Sequence, residues 1–214
     1  MSRFIALGIA GLLSAGPVVA GERVLEGRAT LSPDQEVRID FPVGELTIEG
    51  VSGAELSIEV TGRCKRHTES CDEHLDEVEL EVRERRGSVV VEVAPYSKWR
   101  WWDSLEIEAW VRHPADRPLA VDMGVGELTV KGTQGDLELD LGVGEASVEL
   151  AARFVRSVHV DAGIGDTELL VPDGWVDGER SFLIGSEASW RDGTGAARIY
   201  VDVGVGEAVV RLDD

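Results

Sequence analysis

"DLGVGEASVEL", residues 140–150, holds two short alternating runs on either side of a glycine-rich break. Leu139, Leu141 and Val143 occupy odd positions before it, and Ala146, Val148 and Leu150 occupy even positions after it. Strand side chains alternate faces with period two, so a phase slip without a bend would turn the second run inside out. The Gly-acid step is therefore read as a corner at which both runs keep their apolar side chains inward. Glycine can take the positive φ or bulge geometry a corner needs, and the acid after it faces water.

The same stretch recurs as "DMGVGELTVKG" (122–132), "DAGIGDTELLV" (161–171) and "DVGVGEAVVRL" (202–212), each with the same phase change. The corner glycines are Gly44, Gly126, Gly144, Gly165 and Gly206, with a degenerate copy at Gly185. From Gly126 onward the steps are 18, 21, 20 and 21 residues, and the 82 residues from Gly44 to Gly126 hold about four such units. A period near 20 is the mark of a solenoid, whose units bury their apolar faces by stacking on one another. The sequence thus predicts an all-β, single-domain β-solenoid of stacked rungs of about 20 residues. "ESCDEHLDEV" (69–78) is the one stretch read as a short helix. The earlier glycine of each copy, such as Gly142, lies on the outward face, where either close approach of another backbone or relaxed selection would account for it.

Residues 1–20 carry Arg3 and then an apolar run ending in small residues before Gly21, the pattern of a cleaved secretory signal. Residues 21–214 are expected to form the mature domain, soluble and not membrane-spanning, in the periplasm or otherwise in the medium. The chain carries a net charge of −20, and loss of Arg3 makes it one unit more negative. Such a charge repels nucleic acid and anionic lipid headgroups, and nucleic acid is not expected as a partner.

Cys64 and Cys71 are the only cysteines, and in an oxidising compartment they are expected to form a disulfide. Closing so short a loop contributes about 2–3 kcal/mol on the chain-entropy model. The competing reading adds His67 and His74 as metal ligands, but zinc sites pair close cysteines with a distant second pair.

At this point the chain "VRHPADRPLAVDMGVGELTVKGTQGDLELDLGVGEASVEL" (111–150) resembles the bacterial "putative adhesin" β-strand repeat family. Its pattern maps onto Val111–Pro114, Leu119–Glu127, Gly132–Gly135 and Leu137–Leu141, and the likeness extends over roughly residues 37–212. The resemblance implies a β-solenoid of the cell envelope and brings no catalytic residues with it. The cysteine pair and a tryptophan insertion depart from the family's simplest pattern.

Parallel stacking in register would place Asp122, Asp140, Asp161 and Asp202 in one column and Glu127, Glu145, Asp166 and Glu207 in another, about 4.8 Å apart. Calcium is the alternative cofactor such columns suggest, but calcium nonapeptide repeats have half this period and set the acid elsewhere, so the columns are read as solvated corners with no cofactor. "SKWRWWDS" (97–104) places Trp99, Trp101 and Trp102 as a candidate ligand surface for a glycan or an envelope protein, or alternatively as a cap on an open solenoid end. Trp175 and Trp190 are expected to cover the core. No nucleophile motif accompanies His113 or His159, so no enzyme is expected. The reading is a non-enzymatic exported envelope protein, an adhesin-like scaffold or binding module with an acidic surface. The alternatives are a calcium-stabilised repeat module and a carbohydrate-active β-helix enzyme.

Overall fold

Five long strands carry the repeat, and each is bent at its glycine. They are β3 (Glu36–Val51), β8 (Leu119–Lys131), β9 (Leu137–Ala151), β10 (Val155–Val171) and β14 (Ala197–Asp213), in a computed structural model. It describes residues 14–15, 21–66, 68–94, 104–176, 179–181 and 185–213. The remaining elements are β1 (Ser14–Ala15), β2 (Glu22–Thr30), β4 (Glu55–Cys64), α1 (Glu69–Asp76), β5 (Glu79–Arg85), β6 (Ser88–Ala94) and β7 (Leu105–Pro114). The short strands β11 (Gly174–Val176), β12 (Glu179–Ser181) and β13 (Gly185–Trp190) lie between β10 and β14.

All strands belong to one open, mixed sheet, ordered β1-β2-β4-β7-β3-β8-β9-β14-β10-β13-β12, with β5, β6 and β11 joined at its sides. The five repeat strands form its parallel centre. Pairing is in register through the bends, where Gly44, Gly126, Gly144, Gly206 and Gly165 lie side by side, and a bulge between Val155 and Ser157 interrupts the start of β10. Stacking order is not chain order, because β14 enters between β9 and β10. In that respect the sheet departs from the expected succession of rungs. The first half of β10 is held on its other side by antiparallel β13, and Gly193 and Gly195 then bond back to Arg156 and Val155, which returns the chain for β14. Antiparallel β2, β4 and β7 extend one side of the sheet.

The single described α-helix, α1, falls where the sequence places it. Thr68 caps it by accepting a hydrogen bond from the Cys71 amide at 3.3 Å, as a β-region threonine before a helix does. Cys64 and Cys71 are joined by a disulfide, which ties this helix to the end of β4.

Both arms of each bent strand face one core. Leu139 and Leu141 before the bend and Ala146, Val148 and Leu150 after it are all buried in the same apolar cluster. Burying each of the larger side chains stabilises the fold by roughly 1.5–3 kcal/mol relative to exposure. The inward phase ends earlier than the sequence suggests, however. Val143, Ile164 and Val205 are 46%, 50% and 42% exposed. The turn in the backbone begins at the earlier glycine of each copy, which swings the residue between the two glycines onto the outer corner. Trp175 is likewise exposed and does not cover the core, whereas Trp190 packs against it.

Candidate functional site

The bend is built by two glycine columns. The corner glycines take φ between +134° and +144°. A Cβ on Gly144 would lie 1.8 Å from the Gly126 carbonyl oxygen, and one on Gly206 would lie 1.8 Å from that of Gly144. The earlier glycines are crowded too: a Cβ on Gly142 would meet the Gly124 carbonyl oxygen at 2.6 Å. Close approach of the neighbouring strand, and not relaxed selection, therefore accounts for the first glycine of the motif.

Between the two bare columns stands a row of β-branched side chains: Val43, Val125, Val143, Val205 and Ile164 in spatial order. Three residues before it on each strand lies an aspartate, and two residues after it a glutamate or aspartate. The first acid row is Asp40, Asp122, Asp140, Asp202 and Asp161, and the second is Glu45, Glu127, Glu145, Glu207 and Asp166. Every member of the second row is exposed. The sequence places four of the five in each row. It misses Asp40 and Glu45, although the Gly44 copy of the motif carries the signal for both.

The aspartate row continues beyond the repeat strands. Glu187 on β13 lies opposite Asp161, Glu92 on β6 opposite Asp40, and Glu81 on β5 opposite Glu92. Arg83 meets this row at one end, bridging Glu81 at 3.1 Å and also binding Glu92, and at the other end His159 Nδ1 lies 3.5 Å from Glu187. In the interior, partial burial raises the pKa of Asp140, helped by the charges of Asp202, Glu138 and Asp122. Asp40 is raised in the same way by burial and then by Asp122 and Glu92, against the pull of Arg38 and Arg85. Like charges aligned across strands disfavour ionisation, and here they do so in a row.

A groove of about 680 Å³ opens on the same outer face, further from the bend. Tyr200, 56% exposed, lies beside His159 with ring centroids 4.7 Å apart. His159 Nδ1 is also 2.9 Å from the Ser189 hydroxyl. At the groove's edge Arg198 donates to Asp136 from its guanidinium at 2.6 Å and from its backbone amide at 2.8 Å. Burial acts to raise the Asp136 pKa, but these two hydrogen bonds hold it below the ordinary value. Sequence reasoning could not find this groove, because Tyr200 and His159 become neighbours only through the insertion of β14.

His113 is fully buried, with Nε2 2.6 Å from the Thr133 hydroxyl. Burial lowers its pKa to about 4, so it is neutral and structural at pH 7. Trp99, Trp101, Trp102 and His67 lie outside the described residues. Among the described residues no three His, Cys, Asp or Glu side chains gather closely enough to hold a metal ion, and no helix is long and apolar enough to cross a membrane.

No family model matches the chain, and no curated protein matches it. Among solved structures, a "putative cell adhesion protein" from Clostridium sporogenes is similar over 88% of this chain and 99% of its own, at 14% identity and a TM-score of 0.54. That likeness shows a shared fold. A "putative adhesin" from Bacteroides fragilis aligns over 87% of this chain and 96% of its own at 8% identity, with a TM-score of 0.26. Another from Parabacteroides merdae aligns over 89% and 96% at 9% identity, with a TM-score of 0.22. At those scores neither carries an argument.

Proposed function

We propose that the chain is a non-enzymatic, exported envelope protein of the periplasm or medium, an adhesin-like scaffold or binding module that works through the outer face of its bent sheet. The bent parallel ladder is read as the wall of a small β-solenoid that keeps this face rigid. One observation carries the reading: the chemistry-bearing side chains are spread in strand register over an exposed face and are not gathered into a buried cleft. Two rows of five carboxylates follow the bends, with exposed Val143, Val205 and Ile164 between them and Tyr200 and His159 on the same face. Enzymes converge a nucleophile, a base and an orienting group on one point. Binding surfaces use extended, pre-formed faces with aromatic and apolar anchors. The fold shared with the "putative cell adhesion protein" from Clostridium sporogenes and the Cys64–Cys71 disulfide, of a kind that persists in oxidising compartments, support the export and envelope parts of the reading.

The test uses labelled mature protein, residues 21–214, and isolated envelopes of the bacterium that makes it. Saturable retention, with no release of reducing ends when the protein is incubated with envelope polysaccharide, is the expected result. Catalytic release of reducing ends, or no retention at all, overturns the reading.

A further inference from the structure

In the row Val43, Val125, Val143, Val205 and Ile164, Val43 packs against the core and Val125 is half-buried, whereas Val143, Val205 and Ile164 are exposed. Single exposed valines are ordinary on protein surfaces, whereas a contiguous apolar strip marks an interaction site. The exposed strip of Val143, Val205 and Ile164 crosses three adjacent strands, β9, β14 and β10, about 10 Å at the usual inter-strand spacing. On β9, β14 and β10 the glycines on either side carry no side chains, so an occupant can rest against both flanks of the exposed ridge; on β3 the earlier position is Pro42. Beyond the glycines stand the two acid rows. No Lys or Arg lies between the rows on any of the five strands, whose segments read DFPVGE, DMGVGE, DLGVGE, DAGIGD and DVGVGE. At the β3 end Arg38 and Arg85 act on Asp40 and Lys65 lies beside Glu45 and Glu127, and at the other end His159 lies near Glu187.

We infer that this acid-railed valine and isoleucine strip is a docking site for a cationic segment of a partner protein, one that presents apolar side chains between lysines or arginines. Charge complementarity selects this occupant. A second copy of the chain brings the same rows and a net charge of −20, and anionic lipid and nucleic acid are repelled in the same way. A neutral glycan finds no use for the rails. An extended segment of about three residues spans the exposed strip at about 3.3 Å per residue, and its flanking residues reach beyond it. Its apolar side chains cover the ridge while its cations reach the rows on both sides, which steers encounter and fixes orientation.

This inference rests on the binding-module reading, and the two fail separately in the following experiment. Fluorescence anisotropy at 0.15 M salt measures binding of a labelled 12-residue peptide alternating lysine and leucine. Dodecalysine and an alternating glutamate–leucine peptide serve as comparisons. The lysine–leucine peptide is expected to bind at least tenfold more tightly than dodecalysine, and the glutamate–leucine peptide not at all. Val143→Thr/Ile164→Thr/Val205→Thr, which keeps β-branched side chains, should bring the two cationic peptides within twofold of each other. Should that variant not fold, Val143→Arg alone sets a cation in the strip and should weaken the lysine–leucine peptide at least tenfold. Asp140→Asn/Asp202→Asn/Glu145→Gln/Glu207→Gln should weaken both cationic peptides at least tenfold. A variant losing as much charge elsewhere, Glu55→Gln/Glu59→Gln/Glu73→Gln/Glu106→Gln, should stay within twofold of wild type. Equal binding of both cationic peptides to wild type, an undiminished ridge variant, or an equally weakened distant variant overturns the strip. Envelope retention of the wild-type protein is read in parallel: if it persists while the strip fails, the binding-module reading stands.

Discussion

The parallel centre of the sheet and its antiparallel flank treat charge differently at the bends. On the flank, arginines bridge acids across strands: Glu22 lies opposite Arg63, which bridges it at 3.2 Å and reaches Glu108 at 2.9 Å, although Glu26 faces Glu59. Arg83 likewise serves Glu81 and Glu92. In the centre, repetition sets like on like. Leu139 lies between Val121 and Val201, Gly144 between Gly126 and Gly206, and Asp140 between Asp122 and Asp202. For apolar residues and glycines this is favourable, since equal shapes nest. For carboxylates it is unfavourable. Where strands do not repeat, like charges meet in isolated pairs such as Glu26 with Glu59 and Glu81 with Glu92, whereas the repeat lines five acids in one row at each side of the bend.

The largest effect should come from breaking the nesting itself. Gly144→Ala meets two penalties, a φ of +143° and a Cβ 1.8 Å from the Gly126 carbonyl oxygen. Gly53, in the β3–β4 turn of the flank, also has positive φ, at +119°, but no atom lies within 4 Å of where its Cβ would be. Gly53→Ala should therefore lose only the conformational part, about 1 kcal/mol. Gly144→Ala should lose more than about 4 kcal/mol or fail to fold. Urea unfolding of the two variants checks this, and equal losses would mean that strand stacking is not what demands glycine at the bend.

The next effect belongs to the flank. His113, on β7, has its folded pKa near 4 against an ordinary 6.5, because burial disfavours the charged ring. The unfolded chain thus takes up a proton first as pH falls. Stability from this group is fully present above pH 6.5 and is lost between pH 6.5 and about 4, roughly 3 kcal/mol in total. His113→Gln should flatten the pH dependence over that window in denaturant titrations at pH 7.5, 5.5 and 4.5. An unchanged slope would assign the acid sensitivity to other groups.

Much of this was legible in the sequence, and for a definite reason. A bend that preserves an inward apolar face must leave a parity slip in the chain, and Leu139 with Val148 display it. Register followed from repetition, so the acid rows could be aligned without coordinates. The order of the strands could not. Whether β14 or β10 lies beside β9 depends on β13 and on the return through Gly193 and Gly195, whose contacts with Arg156 and Val155 have no periodic signature. The outward swing of Val143 was hidden for a related cause. Its parity is that of Leu139 and Leu141, and only the crowding at Gly142 shows that the turn has already begun there.

The smallest effect tests the premise of the comparison most directly. Asp140 is partly buried among Asp202, Glu138 and Asp122, so its folded pKa lies above its unfolded value. The sign follows: the folded state holds the proton more tightly, and its cost is present at pH 7 and disappears as pH falls through the folded pKa. Asp140→Asn should stabilise the protein at pH 7 by about 0.5 kcal/mol, the scale of a like-charge contact between strands, or about 1–2 °C in melting temperature. At pH 3 the difference should vanish. Glu22→Gln on the flank loses an exposed bridge to Arg63 and should shift stability the other way by about 0.3 kcal/mol. Opposite signs for two such similar substitutions would mean that the central carboxylates are kept against the interest of folding, which is what a surface held ready for a cationic partner requires. If Asp140→Asn destabilises instead, the row is already compensated within the fold, and the cationic occupant loses its electrostatic reason.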